Sequence, residues 1–76
     1  MKVLVSLSGG LVNAVYLDDE AQKAGLQAVI ADYDCEGSDV IPVQDPDGDD
    51  VLLWRETPIV ESSFAQQMFQ IEEVLR

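Results

Sequence analysis

The chain has 76 residues, with 15 Asp and Glu against 4 Lys and Arg, no His and one Cys, and a formal net charge of −11. That length admits one domain, residues 1–76, burying roughly 60% of its unfolded surface and leaving little room for a deep catalytic pocket. Without His the chain lacks the commonest general base and metal ligand, and a lone Cys35 excludes an internal disulfide or a multi-Cys metal site.

The hydrophobic fraction of 47% is that of a folded domain. So acidic a surface repels nucleic acid and anionic membranes and attracts basic protein surfaces or cations. The single thiol fits a reducing cytoplasm. No stretch has the length of a transmembrane helix, and the start lacks the features of a signal peptide. A second copy, joined through a sheet or helix face, would enlarge so thin a core.

Val3, Val5 and Leu7 alternate with Leu4, Ser6 and Ser8, the period of a strand. Gly9-Gly10 then suits a two-residue hairpin turn, and Val12, Ala14 and Tyr16 form a second alternating set. That register places Leu7 opposite Val12, Val5 opposite Ala14 and Val3 opposite Tyr16, all on one side. Asp18 is an N-cap for a short helix ending at Gly25. A second reading stays open for residues 11–24: one helix carrying Leu11, Ala14, Leu17, Ala21 and Ala24, which would make a parallel β-α-β start.

Leu26 to Tyr33 reads as a strand, and residues 34–39 as a loop. Val40 to Val43 reads as a short strand that Pro42 confines to an edge. Asp45-Pro46-Asp47-Gly48-Asp49 is a turn, Val51 to Trp54 a returning strand, and Ile59-Val60 a short extension. The last segment is helical: Phe64, Met68, Ile71 and Leu75 fall at intervals of four, three and four. Ser63 and Gln66 have capping-box spacing. The expected fold is α+β, a small antiparallel or mixed sheet of four to five strands. The C-terminal amphipathic helix packs on one face, and a short helix follows the first hairpin.

Ser8-Gly9-Gly10 after an apolar strand resembles the start of the ATP pyrophosphatase loop, Ser-Gly-Gly-x-Asp-Ser, which implies pyrophosphate binding at a helix start. Here Val12 and Asn13 replace the polar Asp and Ser, and the chain is too short for the rest of such an enzyme. Asp45, Asp47, Asp49 and Glu56 resemble the oxygen ligands of an EF-hand calcium loop. Asp50 stands where that loop has its turning Gly, and Pro42 and Pro58 interrupt the flanks.

Between Asp32 and Glu61 ten acids face Arg55 alone, a net of −9. Carboxylates so spread can imitate the phosphates of a duplex, and small acidic inhibitors of phages and plasmids are similar in size and charge. The candidate partner-binding residues are Asp45, Asp47, Asp49, Asp50, Trp54 and Arg55. Cys35 lies between Asp34 and Glu36, which disfavour its thiolate, and no His can activate it.

The opening Met1 to Gly10, with Asp32-Tyr33-Asp34 and Glu36-Gly37, resembles a group of small uncharacterised bacterial proteins, implying a bacterial, mobile-element origin. The functional expectation is a non-catalytic protein-interaction module that meets a basic partner. The alternatives are a DNA-mimic inhibitor of a nucleic-acid-binding protein and a calcium-binding loop protein. No cofactor other than calcium, no direct nucleic-acid contact and no membrane association are expected.

Overall fold

A computed structural model describes residues 1–75. Its elements run β1 (Val3–Ser8), β2 (Leu11–Leu17), α1 (Asp19–Lys23), β3 (Ala28–Asp32), β4 (Val43–Gln44), β5 (Asp50–Glu56) and α2 (Ser63–Leu75). The fold is the expected α+β, with five strands, a short helix after the first hairpin and a long C-terminal helix. The strands form two ladders. β1 pairs antiparallel with β2, and β5 lies between β3 and β4, antiparallel to both.

Gly9 and Gly10 close the hairpin with φ of 57° and 79°. Two successive positive φ angles match the right-handed twist of the flanking strands, and glycine reaches them without a Cβ clash. Leu11–Leu17 is therefore a strand. The helical reading of residues 11–24 and the phosphate-loop resemblance both fail on this point, since that loop needs a helix after its glycines.

The register differs from the expected one. Leu7 does lie opposite Val12, but Ser6 faces Ala14, Val5 faces Val15, Leu4 faces Tyr16 and Val3 faces Leu17. The shift between Ser6 and Leu7 leaves Asn13 as the extra residue of a β-bulge, and its amide donates to Ser6 Oγ at 3.4 Å. A one-residue slip moves side chains to the opposite face. Ala14 and Tyr16 thus join Leu4 and Ser6 on one side. Val15 and Leu17 join Val3 and Val5 on the other, and there they are buried, Val15 to 1% exposure.

Helix α2 lies against the side that carries Lys2, Leu4 and Tyr16. The Phe64 ring meets Tyr16 at 5.6 Å between centroids, and the Lys2 ammonium sits 5.9 Å from the centre of Phe69. Lys2 also reaches Glu73 at 3.0 Å and Glu72 at 3.5 Å. Those bonds, Glu73 first, raise its pKa. Acids in a last helical turn oppose the helix dipole, and a lysine just before β1, distant in sequence, supplies the missing cation.

The buried residue of α2 is Ala65, with Phe69 half-buried one turn on. The stripe Phe64, Met68, Ile71 and Leu75 is exposed along its length, which corrects the face expected from periodicity. The cap is also one residue earlier than expected. Ser62 Oγ accepts from the Ala65 amide at 3.2 Å, and the Ser62 carbonyl accepts from the Gln66 amide at 3.1 Å. Glu61, just before it, turns the chain at φ 56°.

Asp18 fastens the first helix to the hairpin. Its Oδ1 accepts from the Ala21 amide at 2.9 Å and its Oδ2 from the Lys2 amide at 2.8 Å. The Asp18 amide in turn donates to the Lys2 carbonyl. The Ala21 bond, then the Lys2 bond and the nearby positive charges, holds the Asp18 carboxyl below its usual range. A lowered folded pKa gives stability that is present above the unfolded value and lost as pH falls through the folded one.

Strand β4 is two residues long, shorter than expected, and begins after Pro42 at the sheet edge. Beyond β5, Thr57-Pro58 leads to Ile59, which pairs in parallel with β2. Leu17 N–H donates to Ile59 O at 3.0 Å, and Ile59 N–H donates to Val15 O at 2.8 Å.

Two outcomes test this account. Ser62→Ala should lower stability to urea by about 1 kcal/mol, while Ser63→Ala should change little, because only Ser62 caps. Asp18→Asn should lower the urea midpoint at neutral pH and leave a smaller loss of stability on acidification below the ordinary carboxylate range.

Candidate functional site

The expected site residues fall on the β4–β5 hairpin. Its turn is built by Asp45. The Asp45 amide donates to the Asp49 carbonyl at 2.8 Å and the Gly48 amide to the Asp45 carbonyl at 2.9 Å, with Gly48 at φ 89°. Asp45 Oδ1 accepts from the amides of Asp47 and Asp49, both at 2.9 Å. Aspartates close turns on their own backbone in this way. Its Oδ2 accepts from the Tyr33 hydroxyl at 2.8 Å, joining the turn to the end of β3.

These bonds, that from Asp49 first and that from Tyr33 next, hold the Asp45 carboxyl below its usual range. The same Tyr33 bond, with burial and the charges of Asp45 and Asp49, pushes the phenol upward. Asp45 therefore shapes the loop, and Asp47, Asp49 and Asp50 project into solvent from a turn already held. The adjoining loop is organised alike: Asp34 N–H donates to Asp32 Oδ1 at 3.0 Å, and Cys35 Sγ lies 3.9 Å from the Asp32 carbonyl.

Trp54 and Arg55 lie on opposite faces of β5. Trp54 stands opposite Ile30 and Arg55 opposite Val29. Asp50 shares its side of the sheet with Trp54 by alternation. Trp54 is 37% exposed, and its indole N–H donates to Glu56 at 3.2 Å. The expected partner-binding set is thus divided. Asp50 and Trp54 share one side of the sheet, Arg55 lies on the other, and Asp47 and Asp49 extend from the turn.

The calcium arrangement is not assembled. Asp45 Oδ1 is engaged in the turn and its Oδ2 by Tyr33, and Glu56, at the far end of β5, accepts from Trp54. Among the described residues, no three of the His, Cys, Asp and Glu side chains are grouped to hold a metal. No polar or charged side chain is buried among them either.

Two open grooves flank α2. One, of about 490 Å³, lies between its first turns and α1, with Asp19, Glu20 and Glu61 on the rim. The other, of about 430 Å³, is more apolar and runs between β1 and the second half of α2, lined by Val3, Leu4, Met68, Phe69, Ile71 and Leu75 with Lys2 and Glu72. Sequence reasoning missed this second groove. The signal for it was the surplus of apolar residues on α2, more than one stripe can hold. Among the described residues, no helix is long and apolar enough to cross a membrane. Comparison with protein-family models, curated proteins and solved structures finds no match.

Tyr33→Phe tests the coupling across the loop. The Asp45 titration, followed by carboxyl carbon NMR, should move up toward the ordinary aspartate range. The wild type should also lose stability as pH rises through the raised Tyr33 pKa, because ionisation breaks the bond. The variant should lack that share of the alkaline loss.

Proposed function

We propose that this chain is a non-catalytic protein-interaction module that offers its acidic half to a basic surface on a partner protein. The observation that carries the reading is the Asp45 turn. Five hydrogen bonds made by Asp45 and its neighbours hold the loop, so the exposed Asp47, Asp49 and Asp50 meet a partner with little further ordering. Preordered groups bind more tightly than mobile ones of equal charge. Trp54, on the same side of β5 as Asp50, supplies an aromatic contact beside the charges.

A narrower form of the reading is imitation of nucleic-acid phosphates, with a nucleic-acid-binding protein as the partner. The spread of acids from Asp32 to Glu61 supports it, since such a partner meets phosphates with Lys and Arg.

The test is affinity capture from bacterial lysate with the tagged chain, eluted by a salt gradient. A basic protein should be retained and then released as salt rises, because exposed charges are screened within about 10 Å at 0.1 M salt. The triple variant Asp47→Asn, Asp49→Asn, Asp50→Asn should fold normally and weaken that binding at least about tenfold. Displacement by duplex DNA would select the phosphate-imitating form. Equal retention of the triple variant would remove the acidic loop from the interaction.

A further inference from the structure

The hairpin end of the molecule is built unlike the rest. All 15 acids lie at Asp18 or beyond, so Met1 to Leu17 has Lys2 as its single charged side chain. Strand β1 has β2 as its one strand neighbour among the described residues, which leaves its other edge open. The Lys2 carbonyl accepts from the Asp18 amide, so the even-numbered residues bond to β2. In an antiparallel ladder the intervening residues point the other way, and Val3 and Val5 present their N–H and C=O groups outward.

Sheet edges are ordinarily blunted by charge, proline or cover. Val3–Ser8, Val-Leu-Val-Ser-Leu-Ser, has neither charge nor proline. Its side chains are also half finished as a core. Val15 and Leu17 are buried, while Val3 and Val5 directly opposite them are 47% and 48% exposed. The cover on that face reaches β2 and stops short of β1. On the other face the apolar groove beside Leu4, Met68 and Ile71 follows the same edge.

The area agrees. A compact monomer of 8.3 kDa exposes about 4,600 Å². This chain exposes 5868 Å², an excess of about 1,300 Å² against the ~800 Å² that each partner buries in a stable interface. Its radius of gyration of 14.7 Å likewise exceeds the ~11 Å of a compact chain this long.

We infer that the open edge of β1 and the apolar groove beside it dock a second copy of this chain, β1 pairing antiparallel with its twin across a two-fold axis. Four strands then form one continuous sheet, and the exposed Val3 and Val5 of each copy gain cover. The occupant is a second copy because an antiparallel edge is self-complementary about a two-fold axis. It is also because the strand edge itself, Val3–Ser8, carries no acid, and Glu72 and Glu73 beside it are paired with Lys2. Along the strand edge itself a basic partner has no acid to pair with. The surface is separate from the acidic loop.

Sedimentation equilibrium on the full chain across a dilution series tests this. The expected result is a monomer–dimer equilibrium that tightens with added salt, since screening relieves the repulsion between like-charged copies. The acidic-loop complex should weaken under the same salt, so failure of one reading is distinguishable from failure of the other. Val5→Lys should weaken dimerisation at least about tenfold, with an unchanged circular dichroism spectrum. Val5→Pro should do the same, because it removes an outward N–H and spares the ladder to β2.

Should both variants fail to fold, hydrogen exchange on the wild type decides. The Val3 and Val5 amides should exchange slowly, and faster on dilution. A folded monomer at every concentration overturns the inference. So does a dimer that persists in either folded variant, or one whose Val3 and Val5 amides exchange freely.

Discussion

Two backbone hydrogen bonds, from Leu17 N–H to Ile59 O and from Ile59 N–H to Val15 O, tie the first hairpin to the second half of the chain. The five strands form two separate ladders, so neither sheet positions the other through its own pairing. Among the described residues, the Ile59 clasp alone joins the hairpin by backbone hydrogen bonds to the chain beyond α1. It also gives β2, like β5, partners on both edges, β1 on one and Ile59 on the other. From Ile59 the chain turns at Glu61, is capped by Ser62 and runs back along the hairpin as α2. The ring contact of Tyr16 with Phe64 and the reach of Lys2 to Glu72 and Glu73 follow from that placement.

Around this clasp the chain divides by chemistry. The first 17 residues are apolar and free of acid, and the acids between Asp32 and Glu61 surround the three-stranded sheet and its loops. Such a division suits a molecule with two contacts of opposite character. Burying apolar surface gives association that salt does not weaken, whereas exposed carboxylates give association that salt screens. The thin core follows from the same division. Val15, Leu17, Ala21, Val51 and Ala65 are buried, and larger apolar side chains on β1 and α2 remain at the surface.

Much of the fold was legible in the residues. Alternation about Gly9-Gly10 marks the hairpin, Asp18 and Gly25 bracket α1, and apolar spacing marks α2. The bulge at Asn13 was not legible, because the alternation is intact on either side of it and only the pairing slips. The buried face of α2 was not legible either. Apolar residues occupy Phe64, Ala65, Met68, Phe69, Ile71 and Leu75, an arc too wide for periodicity to choose its centre. Two adjacent serines made the cap ambiguous, and the bond from Ser62 resolves it. In the candidate site, the Asp45 turn was readable from its own residues. The Tyr33 hydroxyl that holds it comes from another loop, and no local pattern points to so distant a donor. The split between Trp54 and Arg55 is visible only once β5 is known to be a regular strand.

Trp54 is the only tryptophan in the chain, and its position has a practical consequence. Its indole is partly exposed on the acidic half, hydrogen-bonded to Glu56, and lies in the other ladder from β1. Intrinsic fluorescence excited at the indole therefore reports on the charged half of the molecule and not on the apolar hairpin. A partner settling over the carboxylates changes the emission, whereas an event confined to the β1 edge leaves it unchanged. The chain carries its own optical probe, placed so that its two contrasting surfaces can be followed separately without a label.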